Sequence, residues 1–127
     1  MLDRKERTGH FGSSVDAFEI EAVLPDRTSG LAAYREVVRS ADISAGVYTL
    51  AAGSRDPQQP HTEDEVYVVM QGRASFRAGG RTQPAVPGSV IYVERGLEHR
   101  FVDIVEDLAV LVLFAPPEGS LQQRKDP

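Results

Sequence analysis

The stretch HTEDEVYVVMQG, residues 61–72, places a histidine and three carboxylates immediately before a valine-rich apolar run. Histidine nitrogens and carboxylate oxygens are common ligands of divalent transition metals. On one straight strand His61 and Glu65 would lie about 13 Å apart, at about 3.3 Å per residue. Ligand atoms lie about 2 Å from a shared ion, so the two residues share a metal only if the chain turns or coils between them.

Two local structures bring the pair together. In a helix, residues four apart share a face, and Pro60 suits the first helical position. Alternatively, a tight turn over residues 62–64 joins two neighbouring strands. The β-branched and aromatic run at residues 66–69 favours the turn, because such residues are typical of strands.

The turn makes specific predictions for the acidic cluster. Glu63 and Asp64 are expected to be solvated turn residues. Glu65 is expected to begin the next strand and to face the interior together with Tyr67 and Val69, since side chains two apart share one face of a strand.

A second candidate stretch is PGSVIYVERGLEHRFVD, residues 87–103. It reads as a short strand, a turn at residues 94–96 and a further strand that begins at His99. Alternation places His99, Phe101 and Asp103 on one face. Taken alone, a histidine beside an aromatic residue is more typical of a hydrogen-bonded core position than of a ligand.

The surrounding chain reads as one domain over residues 15–115, with a polar leader at 1–14 and a polar tail at 116–127. Apolar spacing over residues 15–24 predicts a short helix, which Ser14 could cap and Pro25 would end.

Seven short apolar segments follow this helix, separated by Gly, Pro, Asp or Gln, and they indicate a β-sandwich or barrel. The segments are AAYREVVRS, ISAGVYTLAA, EVYVVM, RASFRA, SVIYV, HRFVDI and LAVLVLFA. Gly79 and Gly80 predict a tight hairpin after RASFRA, and LAVLVLFA is expected to be the most buried strand. Tyr48, Tyr67 and Tyr92 are expected to be core or pocket walls, with Tyr67 contacting a ligand.

The two candidate stretches resemble the paired signature motifs of the cupin superfamily. The first family motif runs Gly, five residues, His-x-His, three or four residues, Glu, six residues, Gly. Here Gly53 is followed by SRDPQQP, His61, TED, Glu65, a run of six residues and Gly72. Gln59 stands where the first histidine of the motif would be, and the segment before His61 is two residues longer than the pattern.

The second family motif runs Gly, five residues, Pro-x-Gly, two residues, His, three residues, Asn. In this chain Gly88, the triplet ERG, His99 and Asp103 fit that spacing. Glu94 replaces the proline and Asp103 replaces the asparagine. The resemblance covers residues 43–114. It implies an all-β cupin jelly-roll barrel, also called a double-stranded β-helix, in addition to the short N-terminal helix.

By matching position, the resemblance carries the metal ligands of the family onto His61, Glu65 and His99, with Gln59 at best a weak oxygen ligand. Two histidines and one carboxylate suit one divalent transition metal, either Fe, Mn, Ni or Zn.

The resemblance implies a protein that binds a small oxygen-bearing organic molecule at this metal. It could act as a metal-dependent oxygenase or as an isomerase or lyase, with Glu63 or Tyr67 assisting proton transfer. Two alternatives stay open. One is a non-catalytic small-molecule binding or sensing barrel, and the other is a structural homodimer module.

Charge and composition exclude other partners. The net charge is −5 and cysteine is absent, so a basic face for nucleic acid and a thiolate metal site are both disfavoured. The sequence shows neither a secretory leader nor a membrane-length apolar run, so we expect a cytoplasmic protein with no membrane partner. The segment AAYREVVRS is expected to be an edge strand that pairs with a second copy in a homodimer.

Overall fold

Antiparallel strands build the chain around one interior. The computed structural model describes residues 15–25 and 32–125. In chain order the elements are a 3₁₀ turn at Ile20–Val23, β1 at Ala32–Arg39, β2 at Ser44–Leu50, β3 at Asp64–Ala78, β4 at Arg81–Ala85, β5 at Val90–Val93, β6 at His99–Ala115 and α1 at Ser120–Lys125. The all-β architecture predicted from the sequence is confirmed.

The sheet is organised around its two longest strands. The strand order is β1-β2-β6-β3-β4, and β5 pairs with β3 outside this path. Strands β3 and β6 pair antiparallel from Asp64 opposite Ala115 to Ala78 opposite His99. Three register shifts interrupt this ladder between Val69 and Ser75. Such bulges bend and twist a strand pair, which lets the two long strands contribute to both ends of a barrel.

The segments EVYVVM and RASFRA, which the sequence suggests are two strands, form the single strand β3. They join through Gly72, whose φ is 90°. A Cβ atom at this position would collide with the backbone of Asp107 on β6. Glycine therefore allows β6 to approach β3 closely at the bulge. HRFVDI and LAVLVLFA likewise form the single strand β6.

The predicted hairpin is confirmed. Ala78 pairs with Arg81, so the loop consists of Gly79 and Gly80. Their φ angles are 56° and 77°. A two-residue turn with positive φ at both positions matches the right-handed twist of the flanking strands.

The core follows the strand alternation. On β3, Glu65, Tyr67 and Val69 are buried as predicted, while Val66 and Val68 between them are half-buried. The buried apolar cluster is formed by Tyr48, Leu50, Tyr67, Val69, Phe76, Ala85, Val93, Phe101, Ile104, Leu108, Val110, Val112 and Phe114.

Alternation fails at Asp103. His99 and Phe101 are buried as expected, but Asp103 is exposed and Ile104 is buried in its place. Asp103 has a φ of 50°, in the left-handed region where aspartate is one of the tolerated residues. The prediction of a shared face is therefore wrong for Asp103, because the local twist turns its side chain to the outside.

Two further expectations are corrected. Strand β2 is buried at every position, whereas Leu111 and Leu113 on β6 are half-buried, so LAVLVLFA is not the most buried segment. Tyr92 is 64% exposed rather than a core or pocket residue, because on β5 it is Val93 that is buried.

The predicted helix over residues 15–24 is reduced to the 3₁₀ turn at Ile20–Val23. Val15 is exposed, and of this segment only Val23 is buried. Short helices depend on an amphipathic face that packs, and this segment packs a single side chain. Its proposed cap, Ser14, and the leader lie outside the described residues. In the part of the chain that the structure describes, no helix has the length and apolarity needed to cross a membrane.

Residues 116–125, named the C-terminal strap here, do not behave as a loose polar tail. Pro117 is buried. The backbone N–H of Glu118 donates to Ser44 Oγ at 2.9 Å, and Arg39 donates to the Glu118 carbonyl at 3.0 Å. The strap is therefore fastened to β1 and β2 beside one end of the barrel.

Candidate metal centre

Three separate parts of the chain meet at one point of the barrel. His61 lies in the loop that precedes β3, Glu65 is the second residue of β3 and His99 begins β6. One ligand atom from each lies within 4.8 Å of the others. The Gly96 N–H donates to the His61 carbonyl at 2.8 Å and so ties the turn before β6 to the loop that carries His61. The chain bends at residues 62 and 63 and is not helical there, so the bend before Glu65 is confirmed. The prediction is wrong for the strand before this turn, since β2 ends at Leu50 and no strand directly precedes His61 among the described residues.

The Glu65 carboxylate is shared unequally within this group. Its Oε1 lies 3.0 Å from His99 Nε2, and both side chains are buried. Its Oε2 is buried and has no hydrogen-bond partner among the described residues, and His61 Nε2 lies 4.0 Å from it. A buried carboxylate oxygen without a partner is costly, and a cation between Glu65 and His61 would satisfy it.

A backbone carbonyl on the side away from Glu65 fixes the orientation of the His99 ring. Its Nδ1 lies 2.8 Å from the Leu97 carbonyl oxygen, which can only accept, so Nδ1 carries a proton and Nε2 faces the site. Burial lowers the pKa of His99, but hydrogen bonds to Glu65 and to Leu97 outweigh it and hold the pKa above its ordinary value. A histidine whose second nitrogen donates to a carbonyl is the arrangement usual for metal-binding histidines.

The glutamine that reaches the site is Gln58, not Gln59. Gln59 is exposed, whereas Gln58 Oε1 lies 3.4 Å from His61 Nε2 and accepts a hydrogen bond from the Tyr67 hydroxyl at 2.7 Å. The expectation for Gln59 is corrected accordingly. The loop before His61 is longer than the family pattern, so counting residues back from His61 does not identify which glutamine turns inward.

Gln58 is held by a buried carboxylate that sequence reasoning missed. Asp56 accepts the Gln58 side-chain amide at 2.7 Å and the Tyr48 hydroxyl at 2.6 Å. It also accepts the backbone N–H of Phe101 on β6 at 2.8 Å. An aspartate immediately before a proline reads as an ordinary turn residue, so the sequence offers no signal for this role.

Tyr67 is the buried polar residue that contacts His99. Its hydroxyl lies 2.9 Å from His99 Nε2. Burial, reinforced by the charge of Glu65, raises the pKa of Tyr67 far above its ordinary value. The phenol is therefore a hydrogen-bond donor and not a base.

Glu63 is not a solvated turn residue. It is 1% exposed, and its carboxylate accepts the backbone N–H groups of Gly119 at 2.7 Å and Leu121 at 3.0 Å. Thr62 Oγ1 donates to the same carboxylate. The sequence interpretation of Glu63 was wrong because its partners belong to the C-terminal strap, far along the chain.

Asp64 was expected to be a solvated turn residue. It is partly exposed, but it is the first residue of β3 and not part of a turn. Its carboxylate accepts the Arg95 backbone N–H at 2.9 Å and pairs with the Arg95 side chain at 3.2 Å. These hydrogen bonds hold the pKa of Asp64 below its ordinary value. Adjacent carboxylates on β3 thus point to opposite sides, with Glu65 inside and Asp64 outside.

The strap supplies one more acidic group. Glu118 Oε2 lies 3.8 Å from His61 Nδ1. Burial raises the pKa of Glu118, although the nearby His61 acts in the opposite direction. Glu118, His61 and Gln58 line a cavity of about 110 Å³. His61, Glu65 and His99 are called the metal-ligand group below, as the candidate ligands of an ion.

The residues present fit a divalent transition metal. Two imidazoles and one carboxylate are a recognised ligand set for Fe, Mn, Ni or Zn. Two atoms bonded to one ion at about 2.0–2.2 Å are at most about 4.4 Å apart, so small side-chain rotations would bring the group to bonding distance. The unpartnered Glu65 oxygen is the feature that such an ion would complete.

Comparisons with known proteins agree with this geometry. The sequence profile of the cupin domain matches residues 46–115, a range that contains His61, Glu65 and His99. The uncharacterized protein SCO3923 of Streptomyces coelicolor is 44% identical over 103 residues, which are 81% of this chain and 98% of that protein.

Solved structures share the fold at lower identity. TT1209 from Thermus thermophilus is similar with a TM-score of 0.71 and 20% identity, over 81% of this chain and 99% of that one. The Cnp3 cupin domain from Schizosaccharomyces pombe has a TM-score of 0.70 and 16% identity, over 89% of this chain and 75% of that one. Strand order, motif residues and profile therefore agree, and the chain belongs to the cupin family, with the jelly-roll barrel of that family as its fold.

Proposed function

We propose that this cupin holds one divalent transition metal with His61, Glu65 and His99 and binds a small oxygen-bearing organic molecule beside it. The observation that carries the proposal is the buried, unpartnered Oε2 of Glu65, 4.0 Å from His61 Nε2. A stable interior leaves such an oxygen unpaired only at a cost. A shared cation would remove that cost for Glu65 and would bind the unprotonated Nε2 of each histidine in place of its present contacts.

The other polar residues of the site have distinct roles in this proposal. Gln58 accepts from Tyr67 and lies 3.4 Å from His61 Nε2, and Asp56 keeps the Gln58 amide in one orientation. Tyr67 is held protonated by the burial that raises its pKa, and its hydroxyl donates to Gln58 Oε1 and lies 2.9 Å from His99 Nε2, so we assign it a positioning role as well. Glu63 has both carboxylate oxygens engaged by the strap, so we assign it a positioning role and no proton transfer.

A bound divalent ion supplies Lewis acidity or activation of oxygen. With positions at the ion left for a ligand, the arrangement suits a metal-dependent oxygenase or an isomerase or lyase. The cavity beside His61 then receives the organic molecule.

Elemental analysis of the purified protein tests the proposal. We expect one transition-metal ion per chain in the unaltered protein and a loss of most of that metal in His99→Gln, which keeps a polar side chain of similar size. Glu106→Gln, at an exposed position of β6, is the matched control and should hold as much metal as the unaltered protein. Equal metal content in His99→Gln and the control, after full loading, would show that His99 is not a ligand.

A further inference from the structure

The cavity of about 110 Å³ beside His61 has a defined polar end that the metal ligands do not explain. Its apolar walls include Val112 and Phe114, and Tyr34 and Glu118 face it from β1 and from the C-terminal strap. An apolar cavity of about 150 Å³ admits benzene. The part of a ligand that enters this smaller cavity therefore has about four or five non-hydrogen atoms.

Glu118 is fixed in this position by its own backbone. Its N–H donates to Ser44 Oγ at 2.9 Å and its carbonyl accepts from Arg39 at 3.0 Å. The following residue, Gly119, is bound by Glu63 at 2.7 Å. These three contacts come from β1, β2 and the turn before β3, and they hold Glu118 where its side chain lines the cavity. Its Oε2 is 3.8 Å from His61 Nδ1, too far for a hydrogen bond, so it retains capacity to accept from a ligand.

The Tyr34 hydroxyl is the second polar group at this end of the cavity, after the Glu118 carboxylate. Its hydroxyl oxygen is buried without a hydrogen-bond partner in the described part of the chain. The ring packs edge-on against Phe114, with ring centroids 6.5 Å apart. Gly46 on the neighbouring strand leaves the space that the ring occupies, since a Cβ atom there would collide with the Tyr34 ring and hydroxyl. The chain thus makes room for a polar group that has no hydrogen-bond partner among the described residues.

The charges around the cavity restrict the ligand. No lysine or arginine belongs to the described residues that line it, and Glu118 contributes a negative charge. At the end of the cavity lined by Glu118, an anionic group would meet a carboxylate without a compensating side chain among the described lining residues. At the end lined by His61, a cationic group would meet the net positive charge that a divalent ion would keep if its only anionic ligand were Glu65. A neutral molecule avoids both repulsions, and a hydroxyl group on it can form hydrogen bonds with Glu118 and Tyr34.

We infer that Glu118 and Tyr34 form a hydroxyl-binding subsite, which selects neutral, short-chain hydroxy compounds as ligands of this cavity. The ligand hydroxyl donates to the Glu118 carboxylate and accepts from the Tyr34 hydroxyl. A carbonyl or second hydroxyl of the same molecule is directed toward His61 and the metal-ligand group. This inference rests on the proposed function for the role of the metal, but the subsite itself is built only from residues of β1 and the strap.

Binding of hydroxyacetone, a neutral hydroxy compound of suitable size, tests the subsite. Its affinity is measured by NMR titration of the full chain, both metal-loaded and metal-free. Glu118→Gln keeps the shape but loses the charge, and we expect binding to weaken about tenfold because a charge-assisted hydrogen bond becomes a neutral one. Tyr34→Phe should weaken binding about threefold to tenfold without lowering Tm, because it removes a hydroxyl that has no partner. Glu106→Gln and Tyr92→Phe, both at exposed positions, are the controls and should bind as the unaltered protein does.

Lactate and 1-aminopropan-2-ol complete the test as an anion and a cation of similar size. Lactate should bind more tightly to Glu118→Gln than to the unaltered protein, because its repulsion by the carboxylate is removed. Three outcomes would each overturn the inference. Hydroxyacetone could bind both variants as tightly as the unaltered protein, or it could fail to bind the unaltered protein. In the third, the metal-loaded protein would bind 1-aminopropan-2-ol more tightly than hydroxyacetone. Metal content is measured on the same samples. A chain that takes up no metal while hydroxyacetone binding still depends on Glu118 and Tyr34 would contradict the proposed function and leave the subsite supported.

Discussion

Asp56 binds Gln58 through both of its carboxylate oxygens. Oδ1 accepts the Gln58 backbone N–H at 3.1 Å, and Oδ2 accepts the side-chain amide Nε2 at 2.7 Å. Since a carboxylate only accepts, the Gln58 amide has a single orientation, with Oε1 toward Tyr67 and His61. The residue that orients the Gln58 amide is therefore Asp56, two positions before the glutamine.

Asp56→Asn should be strongly destabilising. The buried carboxylate accepts from Tyr48, Gln58 and the Phe101 backbone, and an amide nitrogen in place of one oxygen would face a donor. Loss of one or two hydrogen bonds to a buried charge predicts a decrease of about 2–4 kcal/mol in the free energy of unfolding. Urea denaturation measures it.

The control is Asp103→Asn. Asp103 is exposed with a positive φ, a conformation that asparagine also tolerates, so its free energy of unfolding should stay within about 0.5 kcal/mol of the unaltered value. If Asp56→Asn were as stable as this control, the Asp56 network would have no structural importance.

The parts of this fold that depend on local pattern could be predicted from the sequence. Strand alternation placed Glu65, Tyr67 and Val69 in the interior, and two glycines predicted the hairpin after β3. The proximity of His61, Glu65 and His99 followed from the spacing of two motifs, because each motif places its residues on a strand or on a turn next to one.

What could not be predicted depends on contacts between distant segments. Glu63 is buried because the amides of Gly119 and Leu121, 56 and 58 residues away, bind it. Gln58 rather than Gln59 faces the site because Asp56 is bound to Phe101, 45 residues away. Neither contact has a periodic or compositional signature, so a polar tail and a solvated turn were the natural interpretations of these segments.

Glu63→Ala should release the C-terminal strap while the barrel stays folded. The substitution leaves the Gly119 and Leu121 amides without their acceptor, and we expect their hydrogen-exchange protection to be lost while β2 and β6 amides remain protected. The free energy of unfolding should fall by about 2–3 kcal/mol, as for lost hydrogen bonds to a buried charge. Native-state hydrogen exchange gives the residue-level result.

Glu94→Ala is the control for the strap. Glu94 is exposed in the turn before β6, and its loss should leave exchange at Gly119 and Leu121 unchanged. Full protection of these two amides in Glu63→Ala would mean that the strap is held by other contacts.

Asp64 gives a pH dependence of known sign. Its hydrogen bonds with Arg95 lower the pKa of the folded carboxyl, so its contribution to stability is present above the unfolded pKa of about 3.9 and is lost as pH falls through the folded value. The difference in free energy of unfolding between the unaltered protein and Asp64→Asn should be constant from neutral pH to about pH 4 and then shrink. Both partners are at the surface, so added salt should reduce the difference. A difference that persists at the lowest pH would contradict the pairing.

The edge strand predicts assembly. Strand β1 lies at one end of the strand order, and an edge with free backbone groups is a template for pairing with another chain. We expect a symmetric homodimer through β1. Light scattering should report twice the mass of the chain. For Val37→Pro, a substitution within β1, the measured mass should fall toward that of the monomer because proline removes a backbone donor. A monomer at high concentration in the unaltered protein would refute the prediction.

The most direct test of the metal assignment compares two neighbouring carboxylates. Glu65 is buried with an unpartnered oxygen, whereas Asp64 is paired outside with Arg95. Metal affinity is measured by competition with a chelator for Glu65→Gln and Asp64→Asn. We predict that Glu65→Gln loses at least about a hundredfold in affinity, since an anionic ligand becomes a neutral one, and that Asp64→Asn binds the metal as tightly as the unaltered protein. Equal affinities in the two variants, or a larger loss in Asp64→Asn, would contradict a metal centre organised around Glu65.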